Sequence, residues 1–220
     1  MKSAAVLLDG GFLTYKLYGH LGNRHAEAKD VLAFAQACLE PGEEELFRIY
    51  YYDCPPFPEK RVNPLSRIEI DFSSTATFRR CQNLQEHLKH SDHVAFRAGH
   101  LIFNGWAISR SATEKLLSSP RPVQPADLEP VIKQKRVDMK IGLDIAWLAG
   151  KGIVQKLILA TADTDFVPAM KFARREGVQV VIATLDGKLR RELREHADEV
   201  RLVKLAKSAP KKPATAAKAP

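Results

Sequence analysis

The chain is poor in the residue types that would make several functions easy to assign. Among its 220 residues there are only three cysteines, Cys38, Cys54 and Cys81, odd in number and widely spaced. That excludes a disulfide framework or a zinc knuckle and leaves reduced packing residues. No stretch approaches the ~20 consecutive apolar residues of a membrane span. The apolar piece at the N-terminus meets Asp9 too early for a signal peptide. We therefore expect a cytoplasmic protein with no membrane partner. The seven histidines are scattered and none stands in ligand spacing with a cysteine, so zinc is not expected. Even the basic charge is thin. The formal net charge is +8, but five lysines lie after Val203, which leaves about +3 on residues 1–203. That permits a polyanionic partner without demanding one.

What the chain does have is 45% hydrophobic residues, enough for a proper core. Ala4–Leu8 is a short apolar run ending at Asp9-Gly10-Gly11, which reads as a buried strand and a glycine turn. Helices are expected over 12–19 and 29–39, and a strand over 46–52. Cys54-Pro55-Pro56-Phe57-Pro58 then breaks regular structure, and the chain to about Ser73 reads as a surface excursion. A helix over 75–89 and strands over 94–97 and 101–108 follow, then a mobile polar, proline-rich loop over 111–125. From Ala126 the chain becomes regular: helix 137–149, strand 156–160, helix 166–175, strand 179–183, helix 188–195, strand 199–203. Strands alternating with helices across short loops make βαβ units. With right-handed crossovers these give an α/β fold, a three-layer α/β/α sandwich on a mainly parallel sheet. We expect one domain over residues 1–205, with 54–125 as a variable insert. From Ala206 the chain is almost only Ala, Lys and Pro and is expected to be disordered.

The distinctive stretch is Leu157-Ile158-Leu159-Ala160-Thr161-Ala162-Asp163-Thr164-Asp165-Phe166. A buried strand delivers two carboxylates to its C-terminal end, where open α/β sheets bind ligands. Asp9 follows the first strand in the same way. Asp138 opens the helix that leads into the strand at 156–160. That helix runs antiparallel to the strand, so its N-terminus lies at the same edge. Asp144 is six residues further, about 9 Å along the helix and turned by about 240°, so an ideal helix would not let it share an ion with Asp138. Either the first turn is irregular or one of the two supports the site from behind. Each aspartate taken alone has a plainer reading as a turn or helix cap; the functional reading rests on their convergence. A cluster of hard oxygen donors suits Mg²⁺ or Mn²⁺. Such an ion would support hydrolysis of a phosphodiester. Lys140 lies beside the acids and could hold a phosphate. Lys171, Arg174, Arg175, Lys188, Arg190, Arg191 and Arg194 read as solvated helix faces. Tyr52, Phe103 and Trp106 could stack bases but are better read as packing residues.

Three segments together resemble the NYN domain, and more narrowly the LabA-like group of the PIN-like nuclease superfamily. They are Asp9-Gly10-Gly11-Phe12, Val137-Asp138 through Leu143-Asp144, and Thr161-Ala162-Asp163-Thr164-Asp165-Phe166 with Val167-Pro168. The resemblance implies a PIN-like, Rossmann-like fold and a metal-dependent ribonuclease. It makes Asp9, Asp138, Asp163 and Asp165 the metal-binding acidic set, with Asp144 as the second helix acid of the catalytic group. Phe12, Lys140 and Thr161 fall at substrate-facing positions. Two departures stand out. Phe12 occupies a position often held by Asn, and Thr161-Ala162 replaces Ser-Gly. The acids are all kept. The expected partner is RNA, and a homo-oligomer is compatible with the pattern. The alternative is a non-catalytic RNA-binding or regulatory adaptor that retained the fold. A phosphatase of the haloacid dehalogenase type would want Asp-x-Asp after the first strand, and here position 11 is Gly11.

Overall fold

The structure is a computed structural model, and it describes residues 1–205. Its elements in chain order are β1 (Lys2–Asp9), α1 (Gly10–His20), α2 (Ala28–Ala37), β2 (Glu44–Asp53), β3 (Lys60–Val62), β4 (Glu69–Asp71), α3 (Ala76–Lys89), β5 (Val94–Ala98), β6 (His100–Ile108), α4 (Arg110–Ser118), β7 (Leu128–Lys135), α5 (Val137–Gly150), β8 (Lys156–Ala160), α6 (Val167–Arg175), β9 (Gln179–Thr184), α7 (Arg191–His196) and β10 (Glu199–Leu202). Six strands form one sheet in the order β10-β9-β8-β1-β2-β5, every neighbouring pair parallel.

Both faces of this sheet are covered, which is why β1 and β8 read as unbroken apolar runs rather than alternating ones. Ala5, Leu7, Tyr50, Tyr52, Leu157 and Leu159 pack against Ile141, Ile145 and Leu148 of α5 and Met170 of α6. Val6, Leu8, Tyr51, Ile158 and Ala160 pack on the other side against Leu13 and Leu17 of α1, Phe34 of α2 and Leu88 of α3. The result is the expected three-layer sandwich. The chain leaves β1 towards β2 on one side, while β8, β9 and β10 build out on the other. The order reverses beside β1, and the crevice at such a switch point is where these sheets take ligands.

Register fixes the levels at that edge. Leu8 lies opposite Ala160, and Asp9 lies opposite Tyr52. Gly10 makes the close turn possible: a Cβ there would sit 2.7 Å from the Tyr52 carbonyl oxygen and 2.8 Å from the Tyr51 ring.

The chain between β2 and α5 differs most from expectation. The excursion after β2 carries the short antiparallel pair β3–β4. The segment expected as a mobile loop contains α4, capped by Ser109, whose hydroxyl accepts from the Ala112 N–H at 3.2 Å. Only Ala112 of that helix is buried, so no apolar face announces it in the sequence. β7 was not anticipated at all. It pairs antiparallel with β6 and makes a hairpin between β5 and α5. The hairpin starts at Gly99, where a Cβ would meet Cys54 Sγ and Val137 Cγ2 at 2.6 Å. It ends at Arg136, at φ 72°, which turns the chain into α5. The tail from Ala206, expected to be disordered, lies outside the described residues.

Candidate metal centre

Asp9 ends β1 and caps α1, its Oδ1 accepting from the Phe12 N–H at 3.2 Å. Burial pushes its carboxyl up, and the charges of Asp138 and Asp163 push in the same direction against the donation from Phe12. Asp138 stands in the first turn of α5 and does not cap it; the cap residue is Arg136. Its carboxyl is also raised, by burial first and then by Asp163 and Asp165. Asp163 caps the turn Thr164–Phe166, with Oδ1 accepting from the Asp165 N–H at 2.9 Å. Thr161, buried at the end of β8, accepts from the Asp163 N–H at 3.1 Å and so sets that turn. For Asp9 and Asp163, capping and a place in an acidic cluster are both realised, since one oxygen caps and the other is left over.

The structure thus brings Asp9, Asp138, Asp163 and Asp165 to one edge, where they act on one another's charge. Among the described residues none of the four forms an ion pair, as is also true of Asp53, Asp71 and Asp92, whereas Asp30, Asp127, Asp144, Asp186 and Asp198 each have a basic partner. Uncompensated like charges gathered at one sheet edge, Asp9 and Asp163 partly buried and Asp138 and Asp165 exposed, are the electrostatic condition that a divalent cation relieves. The donors are all hard carboxylate oxygens, which fits Mg²⁺ or Mn²⁺. The cluster is open, however. Among the described residues, the acids whose ligand atoms all lie within 4.8 Å of one another are Glu40, Glu44 and Glu199. That trio is at the opposite edge, at the starts of β2 and β10, and it encloses Lys156 and Arg201. Hydrogen bonds from Arg201 and Lys156 outweigh the effect of burial and hold the Glu44 carboxyl down at about 2. This cluster is already neutralised by cations and reads as an ion-pair network.

Other sequence-derived candidates stand elsewhere. Asp144, six residues along α5 from Asp138, has partners of its own. Arg97 of β5 grips it with two hydrogen bonds of 2.9 Å, and the Tyr52 hydroxyl donates a third at 2.9 Å. Lys140 donates to the Ala98 carbonyl at 2.6 Å, so its ammonium is held by the end of β5 rather than by the acids. The Phe12 ring lies under the Lys16 ammonium, 5.5 Å from its centroid. Tyr52 is fully buried, which leaves it no face for a base.

One acid escaped the sequence reading. Asp53 ends β2 one residue beyond the level of Asp9. It accepts from Gln85 Nε2 at 3.0 Å and from the Cys54 N–H at 2.7 Å. Burial pushes its carboxyl up despite these bonds, and Asp9 adds to the effect. The signal was present, because Tyr52-Asp53 ends an apolar strand just as Leu8-Asp9 does. It was masked by the proline turn that follows.

Comparisons with known proteins agree with this architecture. Residues 97–204 match the NYN domain family. A crystal structure of a protein of unknown function from Vibrio parahaemolyticus superposes with a TM-score of 0.50 at 14% identity, over 92% of this chain and 93% of that one, a likeness of fold alone. No curated protein matches the chain. The matched segment holds β6, β7, α5 and β8 with Asp138, Asp144, Asp163 and Asp165. Residues 97–204 thus carry the match to the NYN domain, a family of the PIN-like nuclease superfamily.

Proposed function

We propose that this chain is a divalent-metal-dependent ribonuclease that hydrolyses phosphodiester bonds of cytoplasmic RNA, acting through one domain over residues 1–205. The observation that carries this reading is the set of unpaired acids at the switch point of an NYN-family sheet. Asp9, Asp138 and Asp163 would hold Mg²⁺ or Mn²⁺. When bound, such an ion supplies an acidified water and offsets charge on the phosphodiester. The chain's own residues do the rest. Asp165, exposed on the turn, orients water. Thr161 fixes the turn that aims Asp163. The Phe12 N–H holds one oxygen of Asp9 and leaves the other free. Asp144 and Arg97 are positioning residues that anchor α5, and with it Asp138.

The test is cleavage of a labelled RNA by the wild type and by Asp163→Asn, with Mn²⁺ and with EDTA. Wild-type cleavage should need the ion, and the variant should lose at least 100-fold. Equal activity in the two proteins, or activity that survives EDTA, rules the reading out. The open spacing of the acids favours one other reading, a non-catalytic RNA-binding adaptor. Salt-sensitive, metal-independent RNA binding without turnover would identify it.

A further inference from the structure

A cavity of about 440 Å³ lies between α3 and the β6–β7 hairpin. Phe72 and Phe78 form its wall on the α3 side, and Leu101 and Ile132 of the hairpin face them. Its polar lining is Asp53, Gln134, Thr75 and Thr77, with Asp53 and Gln134 at the end nearest β1. Gln134 Nε2 comes within 3.9 Å of where a Cβ on Gly11 would stand, so this end opens beside Asp9. A second hollow of about 440 Å³ begins at the same Asp53 and runs past Gly11 to Tyr15 and Tyr18. Tyr15 there is 75% exposed. Asp53 and Cys81 line both hollows and form the ridge between them, and the acidic edge adjoins it.

Resting on the ribonuclease reading, we infer that the cavity between α3 and the hairpin takes one unpaired nucleobase next to the bond being cut, so that the substrate is single-stranded at that position. A phosphodiester placed over the acids carries its neighbouring bases to either side of the ridge. The walls are mostly apolar and aromatic, with no lysine or arginine among the lining residues, which suits a flat base better than a phosphate. Only a base turned out of a duplex can enter between a helix and a hairpin. The Gln134 amide, exposed at the mouth, has a donor and an acceptor to read one edge of that base.

The probe is an unstructured hexaribonucleotide in which 2-aminopurine replaces each base in turn. Binding in EDTA is followed by its fluorescence and by anisotropy, and cleavage of the same oligonucleotides is mapped with Mn²⁺. One position, adjacent to the mapped cut, should change its fluorescence on binding. An abasic nucleotide there should weaken binding about 5- to 160-fold, the range expected for one stacked base. Ile132→Trp fills the cavity from the hairpin, and Thr77→Phe fills it from the α3 side. Either should abolish the fluorescence response with thermal unfolding unchanged, and the second covers misfolding of the first. RNA that binds with no responding position, or a response that survives both variants, overturns the base pocket even where cleavage proceeds. A response at one position without cleavage in Mn²⁺ supports the pocket and rejects the nuclease. Failure to bind RNA at all overturns both.

Discussion

Replacing Arg97 by Met should destabilise the fold while sparing the acids that would hold the ion. Arg97 grips Asp144 with both a side nitrogen and a terminal nitrogen, and the Asp144 side chain is only 14% exposed. The variant keeps the stem and leaves that carboxylate with the Tyr52 hydroxyl as its remaining partner. Stranding a buried carboxylate costs about 3–5 kcal/mol when the pair is fully enclosed. The Arg97 side chain is 41% exposed, so water re-enters and the expected loss falls to about 2 kcal/mol. For a domain of this size that lowers the Tm by roughly 4–8 °C. The assay is thermal and guanidinium unfolding of Arg97→Met, Asp144→Asn and the double variant. The double variant should be less destabilised than the sum of the two, with a coupling of about 1 kcal/mol or more. Because Asp144 is held by Arg97 and Tyr52, Asp144→Asn should keep Mn²⁺-dependent RNA cleavage within about tenfold of wild type. Additive losses, or a stable Asp144→Asn protein that has lost all cleavage, would refute the assignment of Asp144 to anchoring rather than to the ion.

Other substitutions and conditions follow from the same geometry. Asp138→Asn should shift the Tm in EDTA by no more than about 3 °C, because relief from Asp163 and Asp165 offsets the lost charge at the α5 N-terminus. It should also abolish the Tm rise that millimolar Mn²⁺ gives the wild type, which differential scanning fluorimetry would read. Gly10→Ala places a methyl 2.7 Å from a backbone oxygen and should cost about 1–3 kcal/mol in denaturant titration. Acidification should weaken the opposite edge of the sheet. Glu44 is held at about 2 in the fold against an ordinary 4.5, so its contribution is complete above about pH 4.5 and fades as the pH falls towards 2. Unfolding midpoints between pH 6 and 2.5 should show that fall, and Glu44→Gln should flatten it.

Much of the fold was legible because the central strands are buried on both faces. Val6 to Leu8 and Leu157 to Ala160 have no polar interruption, and Ile141, Ile145 and Leu148 repeat at helical spacing. The edges of β1 and β8 were therefore readable, and with them the places of Asp9 and Asp163. The offset of Asp144 along α5 was readable from helical geometry alone, whereas its partner Arg97 was not, because no local pattern links positions 47 residues apart. α4 and β7 escaped for a different reason. They lie outside the two core layers, bury little, and so lack the periodicity that marks an element. Gln134 and the cavity beside it depend on how the hairpin folds back over the sheet edge, which is tertiary information.

The proposed chemistry depends on acids at the switch point of the sheet sharing a divalent ion. Anomalous diffraction at the manganese edge, from crystals equilibrated with millimolar Mn²⁺, tests it most directly. A peak in contact with Asp9, Asp138 and Asp163 is expected. Its absence there, or a peak lodged instead among Glu40, Glu44 and Glu199, would contradict it.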